Sequence, residues 1–257
     1  MRLLLSNDDG VFAPGILALA QTLSREHEIS ISAPDRQQSA VSRGMTLYDP
    51  LRALPVCLAG IPDIAAYAVS GTPVDCVRLG IGNLFDPPDM VVSGINLGPN
   101  LGTDVLYSGT VAAAAEAALL GYPAIAVSNC AYEPKYFETS AKVAALAVQY
   151  LAKHPMPFGT VLNVNVPDVP IEALRGVKLA RTCVNQYTLK YVERKDPTGH
   201  PYFWAPRGKL SNAAGQDVDE RWTQEGYAVL TPLSYDLTDY QTMEQMQLDQ
   251  FFSGTEE

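Results

Sequence analysis

The chain has few of the side chains that build several common catalytic centres. Its 257 residues include three histidines and four cysteines, and the cysteines are scattered without a C-x-x-C pair. Three histidines leave almost no material for a multi-histidine zinc centre. Four separate thiols do not form the framework of a disulfide-rich protein, so we expect a reducing, cytoplasmic location. Any bound metal must therefore be held mostly by oxygen atoms.

Positive charge and long apolar runs are also scarce. Eighteen lysines and arginines oppose 28 aspartates and glutamates, which gives a formal net charge of −10. Such an acidic surface repels nucleic-acid backbones and anionic lipid, so we expect no nucleic acid polymer and no membrane as partner. The longest apolar stretches are interrupted by Glu116, Gly121 and Pro123, which predicts no membrane span. A small anionic ligand stays compatible with this charge, because a local site can hold a cation.

Hydrophobic residues make up 47% of the chain, enough for a large core, and their spacing predicts an α/β fold. Short apolar runs predict strands at 2–6, 28–33, 90–93, 124–128 and 161–166. Helical spacing predicts helices at 15–23, 111–120 and 140–151, and Thr72-Pro73-Val74-Asp75 is typical of a capping box that begins another. This alternation indicates a Rossmann-like three-layer core with a mostly parallel sheet.

The pattern changes after Pro167, where segments rich in Tyr, Thr, Val and Trp predict extended hairpins. Their predicted turns lie at 196–199 and 206–208, and a last helix is predicted within 238–252. We therefore predict an α/β catalytic core at 1–167. A β-hairpin-rich extension with a C-terminal helix follows at 168–257, and we expect it to take part in oligomerisation.

Two adjacent carboxylates, Asp8 and Asp9, follow the first predicted strand. Ligands of parallel sheets bind beyond the carboxyl ends of the strands, so this position favours a functional role. Neighbouring carboxylates repel each other unless a cation or a shared proton relieves them, and hard cations such as Mg²⁺ take oxygen ligands. Ser39, after the second strand, could add a neutral oxygen. The alternative is an acidic turn whose aspartates cap the backbone.

A glycine-rich loop follows the strand at 90–93 and leads to Ser108-Gly109-Thr110, where a helix begins. The free N–H groups of a helix start bind anions, so we favour a phosphate site here over a simple N-cap. The glycine spacing is neither G-x-G-x-x-G nor that of a P-loop, and there is no G-x-S-x-G elbow. These absences argue against a dinucleotide-binding protein, a P-loop NTPase and a serine hydrolase.

Five stretches of the chain, in order, resemble the survival protein E (SurE) nucleotidase family. They are Asn7–Gly10, the A-P-D-R stretch that leads to Ser39, SGTPVDCV at 70–77, VSGINLGPN at 92–100 and YSGTVAAA at 107–114. The similarity covers most of the chain through Ser128 and returns at 163–167 and 226–233. Residues 180–187 and 191–221 depart from it, which leaves base preference and oligomer contacts open.

The resemblance implies a phosphatase that hydrolyses nucleoside 5′- and 3′-monophosphates, with some members also cleaving short polyphosphate. It implies one divalent cation per subunit, Mg²⁺ or Mn²⁺, and a homodimer or homotetramer that exchanges a C-terminal segment. By motif, Asp8 and Asp9 resemble the catalytic residues, and the metal ligands correspond to Asp8, Asp9, Ser39 and Asn96. The phosphate site corresponds to Asn100, Ser108, Gly109 and Thr110.

Two other functions stay open from the sequence. One is a haloacid-dehalogenase-like phosphatase in which Asp8 attacks phosphorus, although that family spaces its acids as D-x-D and here they are adjacent. The other is a non-catalytic nucleotide-sensing module that binds phosphate without cleaving it. The sequence also leaves open whether Asp8 or a metal-bound hydroxide takes the proton of an attacking water.

Overall fold

A computed structural model describes residues 1–187, 190–205, 209–211 and 217–246. Six α-helices lie within these ranges: α1 (Pro14–Leu23), α2 (Pro73–Leu79), α3 (Gly109–Leu119), α4 (Phe137–Lys153), α5 (Asp219–Gln224) and α6 (Tyr240–Gln245). Thirteen strands accompany them: β1 (Arg2–Ser6), β2 (Glu28–Pro34), β3 (Ala53–Val56), β4 (Ala65–Val69), β5 (Met90–Leu97), β6 (Ala124–Asn129), β7 (Thr160–Val166), β8 (Val177–Leu179), β9 (Asn185–Tyr187), β10 (Val192–Lys195), β11 (Pro201–Trp204), β12 (Lys209–Ser211) and β13 (Ala228–Ser234). Short 3₁₀ turns occupy Gly102–Leu106 and Ile171–Ala173, and Gly80–Leu84 is π-helical.

Nine strands form one sheet in the order β3-β4-β2-β1-β5-β6-β7-β13-β8. Neighbouring strands are parallel except for β3 against β4 and β13 against β7. The alternation of side chains along β1 explains how both faces are covered. Leu3 and Leu5 pack in the cluster that contains α1 and α4, whereas Leu4 packs in the cluster of α2 and α3. The predicted three-layer α/β core is confirmed.

The strand order reverses at β1, and this reversal positions the site. From β1 the chain adds β2 and then β4 on one side, and β5, β6 and β7 follow on the other. The carboxyl ends of β1 and β5 therefore lie side by side at a topological switch point, where ligands of open α/β sheets bind. The loop after β1 carries the predicted metal ligands Asp8 and Asp9, and Asn96 lies near the carboxyl end of β5.

The capping box that begins α2 is confirmed. The Thr72 side chain accepts a hydrogen bond from the Asp75 amide at 3.2 Å, and the Asp75 carboxylate accepts one from the Thr72 amide at 2.9 Å. The sequence did not predict β3 and β4, however. Three of the five residues of the β4 segment AAYAV are alanines, which are depleted in strands, and Pro55 lies in the edge strand β3. Pairing with the neighbouring strands makes both segments extended.

Beyond Pro167 the chain contributes to the main sheet and also forms two separate strand pairs. β8 and β13 lie at one edge of the main sheet, while β10 and β11 form a hairpin and β9 pairs with β12. The turn predicted at 196–199 joins β10 to β11, and the turn predicted at 206–208 lies outside the described residues. The last predicted helix is present as α6, and its predicted end lies beyond the described range. The division at residue 167 stays a prediction.

Within the described part of the chain, no helix combines the length and the apolar character that crossing a bilayer requires.

Candidate active site

A cleft of about 620 Å³ opens at the carboxyl ends of β1 and β5. Five of the predicted site residues line it: Asp8, Ser39, Asn96, Asn100 and Ser108. Of the other three, Gly109 and Thr110 lie against Asp8, and Asp9 accepts hydrogen bonds from Gln37 and Leu97, which also line the cleft. A larger groove of about 960 Å³ runs along 179–182 and 231–234, but none of the predicted site residues lines it. The smaller cleft is therefore the candidate active site.

Asp8 is a buried carboxylate at the end of β1, with 4% of its surface exposed. The Thr110 hydroxyl, in the first turn of α3, donates a hydrogen bond to its Oδ1 atom. Burial raises the pKa of Asp8 to about 6, the Thr110 hydrogen bond partly opposes this, and the neighbouring charge of Asp9 adds to the increase. The fold thus holds an anionic group where it is unstable without a positive partner.

Gly109, the first residue of α3, is placed directly against Asp8. A Cβ atom at Gly109 would lie 2.7 Å from the Asp8 Cβ and 3.0 Å from its Oδ2. It would also lie 3.2 Å from the Pro73 ring. Only glycine lets the start of α3 approach the carboxylate this closely.

Asp9 is hydrogen-bonded to the end of β5 and to the loop after β2. Its Oδ2 atom accepts the Leu97 amide at 3.1 Å, and its Oδ1 accepts the Gln37 side chain at 3.4 Å. Gln37 also donates to the Ser39 hydroxyl at 2.9 Å, so one amide links the ends of β1 and β2. Burial raises the pKa of Asp9, while the Leu97 and Gln37 hydrogen bonds lower it. The sequence analysis missed Gln37, because a lone glutamine in a polar loop carries no signal.

Asn96 is almost completely buried, and its side-chain nitrogen donates to the Gly98 carbonyl at 2.9 Å. Its carboxamide oxygen is therefore the atom that a cation could use. The described residues contain no group of three or more His, Cys, Asp and Glu that could hold a metal. A cation here would have to combine the two carboxylates with neutral hydroxyl and carboxamide oxygens, a donor set that suits Mg²⁺ or Mn²⁺ better than zinc.

Asn100 is held by a polar network that the sequence analysis missed. Its amide donates to Asn165 Oδ1 at 2.8 Å and its side chain to Ser128 at 2.8 Å, while its carbonyl accepts Asn163 and Asn165 at 2.9 and 3.0 Å. Two asparagines alternating with valines in the buried strand β7 were the available signal. A carboxamide has two N–H donors, so Asn100 keeps one for a ligand.

Ser108 is the N-cap of α3 and accepts the Val111 amide at 3.1 Å. The amides of Gly109 and Thr110 have no partner within the helix, and the positive end of its dipole lies here. The structure thus brings the predicted phosphate residues together, with the Thr110 side chain bonded to Asp8. Their contact with phosphate stays a prediction.

Asp219 of α5, in the C-terminal part of the chain, supports the loop that joins β5 to α3. The Asp219 carboxylate is completely buried and accepts the Gly102 amide at 2.7 Å and the Cys183 amide at 3.0 Å. Gly102 begins the 3₁₀ turn that leads to Ser108. The site loop is therefore fixed by a side chain that lies more than 100 residues later.

We expect the affinity for Mn²⁺ to fall as the pH drops below about 6. The pKa of Asp8 in the metal-free protein is about 6, so below this pH a proton competes with the cation for the carboxylate. The apparent Kd should rise by roughly tenfold per pH unit on this side. Calorimetric titration with Mn²⁺ from about pH 5 to 8 measures this, and a constant affinity would show that Asp8 is not a ligand.

Comparisons with known proteins place the chain in a family. A family model described as "Survival protein SurE" matches residues 3–189. The chain is 43% identical to the "5'-nucleotidase SurE" of Carboxydothermus hydrogenoformans over 251 residues, which cover 96% of this chain and 95% of that relative. It is 45% identical to the protein of the same name from Alkalilimnicola ehrlichii, covering 96% of this chain and 94% of that protein.

A solved structure agrees with the sequence comparisons. The crystal structure of the SurE protein from Aquifex aeolicus is 37% identical, covers 97% of this chain and 100% of that one, and superposes with a TM-score of 0.83. The matched family, the full-length similarity and the shared architecture lead to one conclusion. The chain belongs to the SurE family.

Proposed function

We propose that the protein is a divalent-metal-dependent nucleotidase that hydrolyses nucleoside 5′- and 3′-monophosphates to nucleoside and phosphate. The observation that carries this is the contact between Asp8 and the first turn of α3, inside a cleft large enough for a nucleotide. In this proposal the cation site and the phosphate site adjoin each other at this contact. Relatives named 5′-nucleotidase support the 5′-nucleotidase part of this proposal.

Each predicted site residue has a physical role in this proposal. Asp8 and Asp9 provide the negative charge that would hold one Mg²⁺ or Mn²⁺ ion, and Ser39 and Asn96 would add neutral oxygens. The amides of Gly109 and Thr110 and the side chains of Asn100 and Ser108 orient the phosphate. A cation bound there would polarise the phosphoryl oxygens. In this proposal Asp8 would accept the proton of the attacking water.

The magnitudes explain why a cation belongs in the proposal. Enzymes accelerate phosphate-monoester hydrolysis by up to ~10²¹-fold. A helix N-terminus contributes only about 0.3–1 kcal/mol, and about 2 kcal/mol in the best cases. The start of α3 can therefore orient the phosphate without accounting for the rate.

Metal removal tests the proposed function. We expect phosphate release from AMP to stop in EDTA and to return when Mn²⁺ or Mg²⁺ is added, because the two carboxylates alone repel the phosphate. A parallel assay with 3′-AMP and short polyphosphate tests the wider substrate range. Full activity in EDTA would contradict metal dependence, and nucleotide binding without phosphate release under any condition would favour the sensing module.

We also propose that the protein is a homodimer or homotetramer in which the β10–β11 hairpin packs against another copy. Every residue of both strands is exposed, with Phe203 58% and Trp204 60% exposed, and an isolated two-stranded hairpin is marginally stable in water. Light scattering should show a smaller assembly when Phe203 and Trp204 are both changed to Ser. Phe158→Ser, at a site 76% exposed outside this hairpin, is the matched control. A monomeric wild-type protein would contradict the proposal.

A further inference from the structure

Three tyrosines line the same cleft and are not used by the phosphate or metal chemistry. Tyr107 lies just before Ser108, Tyr132 follows β6, and Tyr187 is the last residue of β9. The three come from separate parts of the chain, so the fold gathers aromatic rings beside the predicted catalytic groups. An aromatic lining contributes little to binding a bare phosphate, whereas it suits a flat ring.

Tyr132 is fixed beside the predicted metal ligands although most of it is in solvent. Its side chain is 77% exposed, yet its ring lies directly against the backbone of Gly98. A Cβ atom at Gly98 would lie 2.6 Å from Cε1 and 2.8 Å from Cδ1 of Tyr132. The turn that carries it is anchored by a hydrogen bond from the Ala131 amide to Asn129 at 3.0 Å. The ring is therefore held in place and still has exposed surface that a ligand can contact.

Tyr107 and Tyr187 form a pair of rings in the cleft. Their ring centroids are 6.2 Å apart with an interplanar angle of 82°, an edge-to-face contact. The Tyr187 hydroxyl oxygen is buried and has no hydrogen-bond partner among the described residues. A buried unpaired hydroxyl is destabilising, so a polar group of a ligand in the cleft would relieve it.

We propose that these three tyrosines form the nucleoside subsite, in which Tyr132 stacks on the base and the Tyr187 hydroxyl hydrogen-bonds the base edge. This inference rests on the proposed function and defines its substrate class, because it favours nucleotides over phosphate monoesters without a base. Stacking on an aromatic ring tolerates every base, since each base has a π-face. The subsite therefore selects for a base without requiring one particular base.

The test compares AMP with ribose 5-phosphate, which has the same ester but no base. We expect Tyr132→Ala to lower kcat/KM for AMP by roughly ten- to a hundredfold, mainly through KM, and to leave ribose 5-phosphate unchanged. Tyr132→Phe should retain the wild-type values because it keeps the ring. Tyr187→Phe should weaken AMP alone, and Tyr150→Ala, at an exposed site on α4, should change neither substrate.

Equal losses for both substrates, or a wild-type enzyme without preference for AMP, would overturn the subsite. A wild-type protein that cleaves neither substrate with Mn²⁺ would instead overturn the proposed function. In that case, calorimetric binding of AMP and ribose 5-phosphate still decides on the subsite. Weaker binding of AMP alone by Tyr132→Ala supports it, and unchanged AMP binding refutes it.

Discussion

Asp9→Asn is expected to lower kcat/KM for nucleoside monophosphates by roughly 10³-fold or more while the protein stays folded. Asparagine keeps an oxygen that can accept the Leu97 amide, which Asp9 accepts at 3.1 Å, so the loop geometry is preserved. What is lost is one of the two charges that would hold the cation. Phosphate release in saturating Mn²⁺ measures the effect, and circular dichroism verifies the fold. If the folded variant kept near-normal turnover, Asp9 would not be a metal ligand.

Asp8→Asn should abolish activity in the same way and should also stabilise the metal-free protein. Burial raises the pKa of Asp8 from 3.8 to about 6, so the folded state binds this proton more tightly than the unfolded chain does. The contribution of Asp8 to stability is therefore lost as the pH rises from about 4 through 6. At neutral pH the ionised carboxylate therefore lowers the free energy of unfolding by on the order of 3 kcal/mol.

Thermal melts in EDTA at neutral pH test this stabilisation. Asp8→Asn removes the buried charge, so its Tm should exceed that of the wild type. Asp63→Asn, at an exposed position, should leave the Tm unchanged. Added Mn²⁺ should raise the wild-type Tm and not that of Asp8→Asn, because only the wild type has both carboxylates. A lower Tm for Asp8→Asn in EDTA would contradict the electrostatic argument.

Gly109→Ala is another change with a large expected effect. The added Cβ would lie 2.7 Å from the Asp8 Cβ and 3.2 Å from the Pro73 ring, so either Asp8 or the start of α3 must shift. Displacing a reacting group by about 1 Å costs on the order of 10²-fold in rate, and we expect at least that loss in kcat/KM. Alanine favours helices more than glycine does, so the helix itself is not weakened.

Gly82→Ala is the matched control for this substitution. No atom lies within 4 Å of the Cβ that it would add, and activity should be unchanged. Steady-state kinetics together with Mn²⁺ titrations of both variants test the prediction. If Gly109→Ala retained wild-type kinetics and metal affinity, the close approach of α3 to Asp8 would have no functional role.

The sequence predicts well the parts of this protein that local physics determines. The apolar run of β1, the capping box of α2 and the carboxylates after β1 follow from short-range patterns, and the structure contains all of them. Strands β3 and β4 were missed because their extended form depends on pairing, β4 with the distant strand β2 and β3 in turn with β4. Secondary structure of such segments is set by tertiary contacts.

The site shows the same limit at the level of single residues. Asp8 and Asp9 stand out because adjacent acids after a strand are unusual, whereas Gln37 and Asn165 act only through partners that other strands supply. Thr110 illustrates a mixed outcome, since the helix start is readable in the sequence but its hydroxyl contact to Asp8 spans 102 residues. Contacts of this length follow from the topology of the sheet and cannot be inferred from spacing.

The Asp219 contact has a consequence for how the protein matures during synthesis. Gly102 belongs to the site loop, and the carboxylate that holds its amide is 117 residues further along the chain. A ribosome-bound chain that has emerged only through β7 contains all eight predicted site residues but lacks this anchor. We therefore expect the site loop to gain this support only after α5 has left the exit tunnel, late in translation.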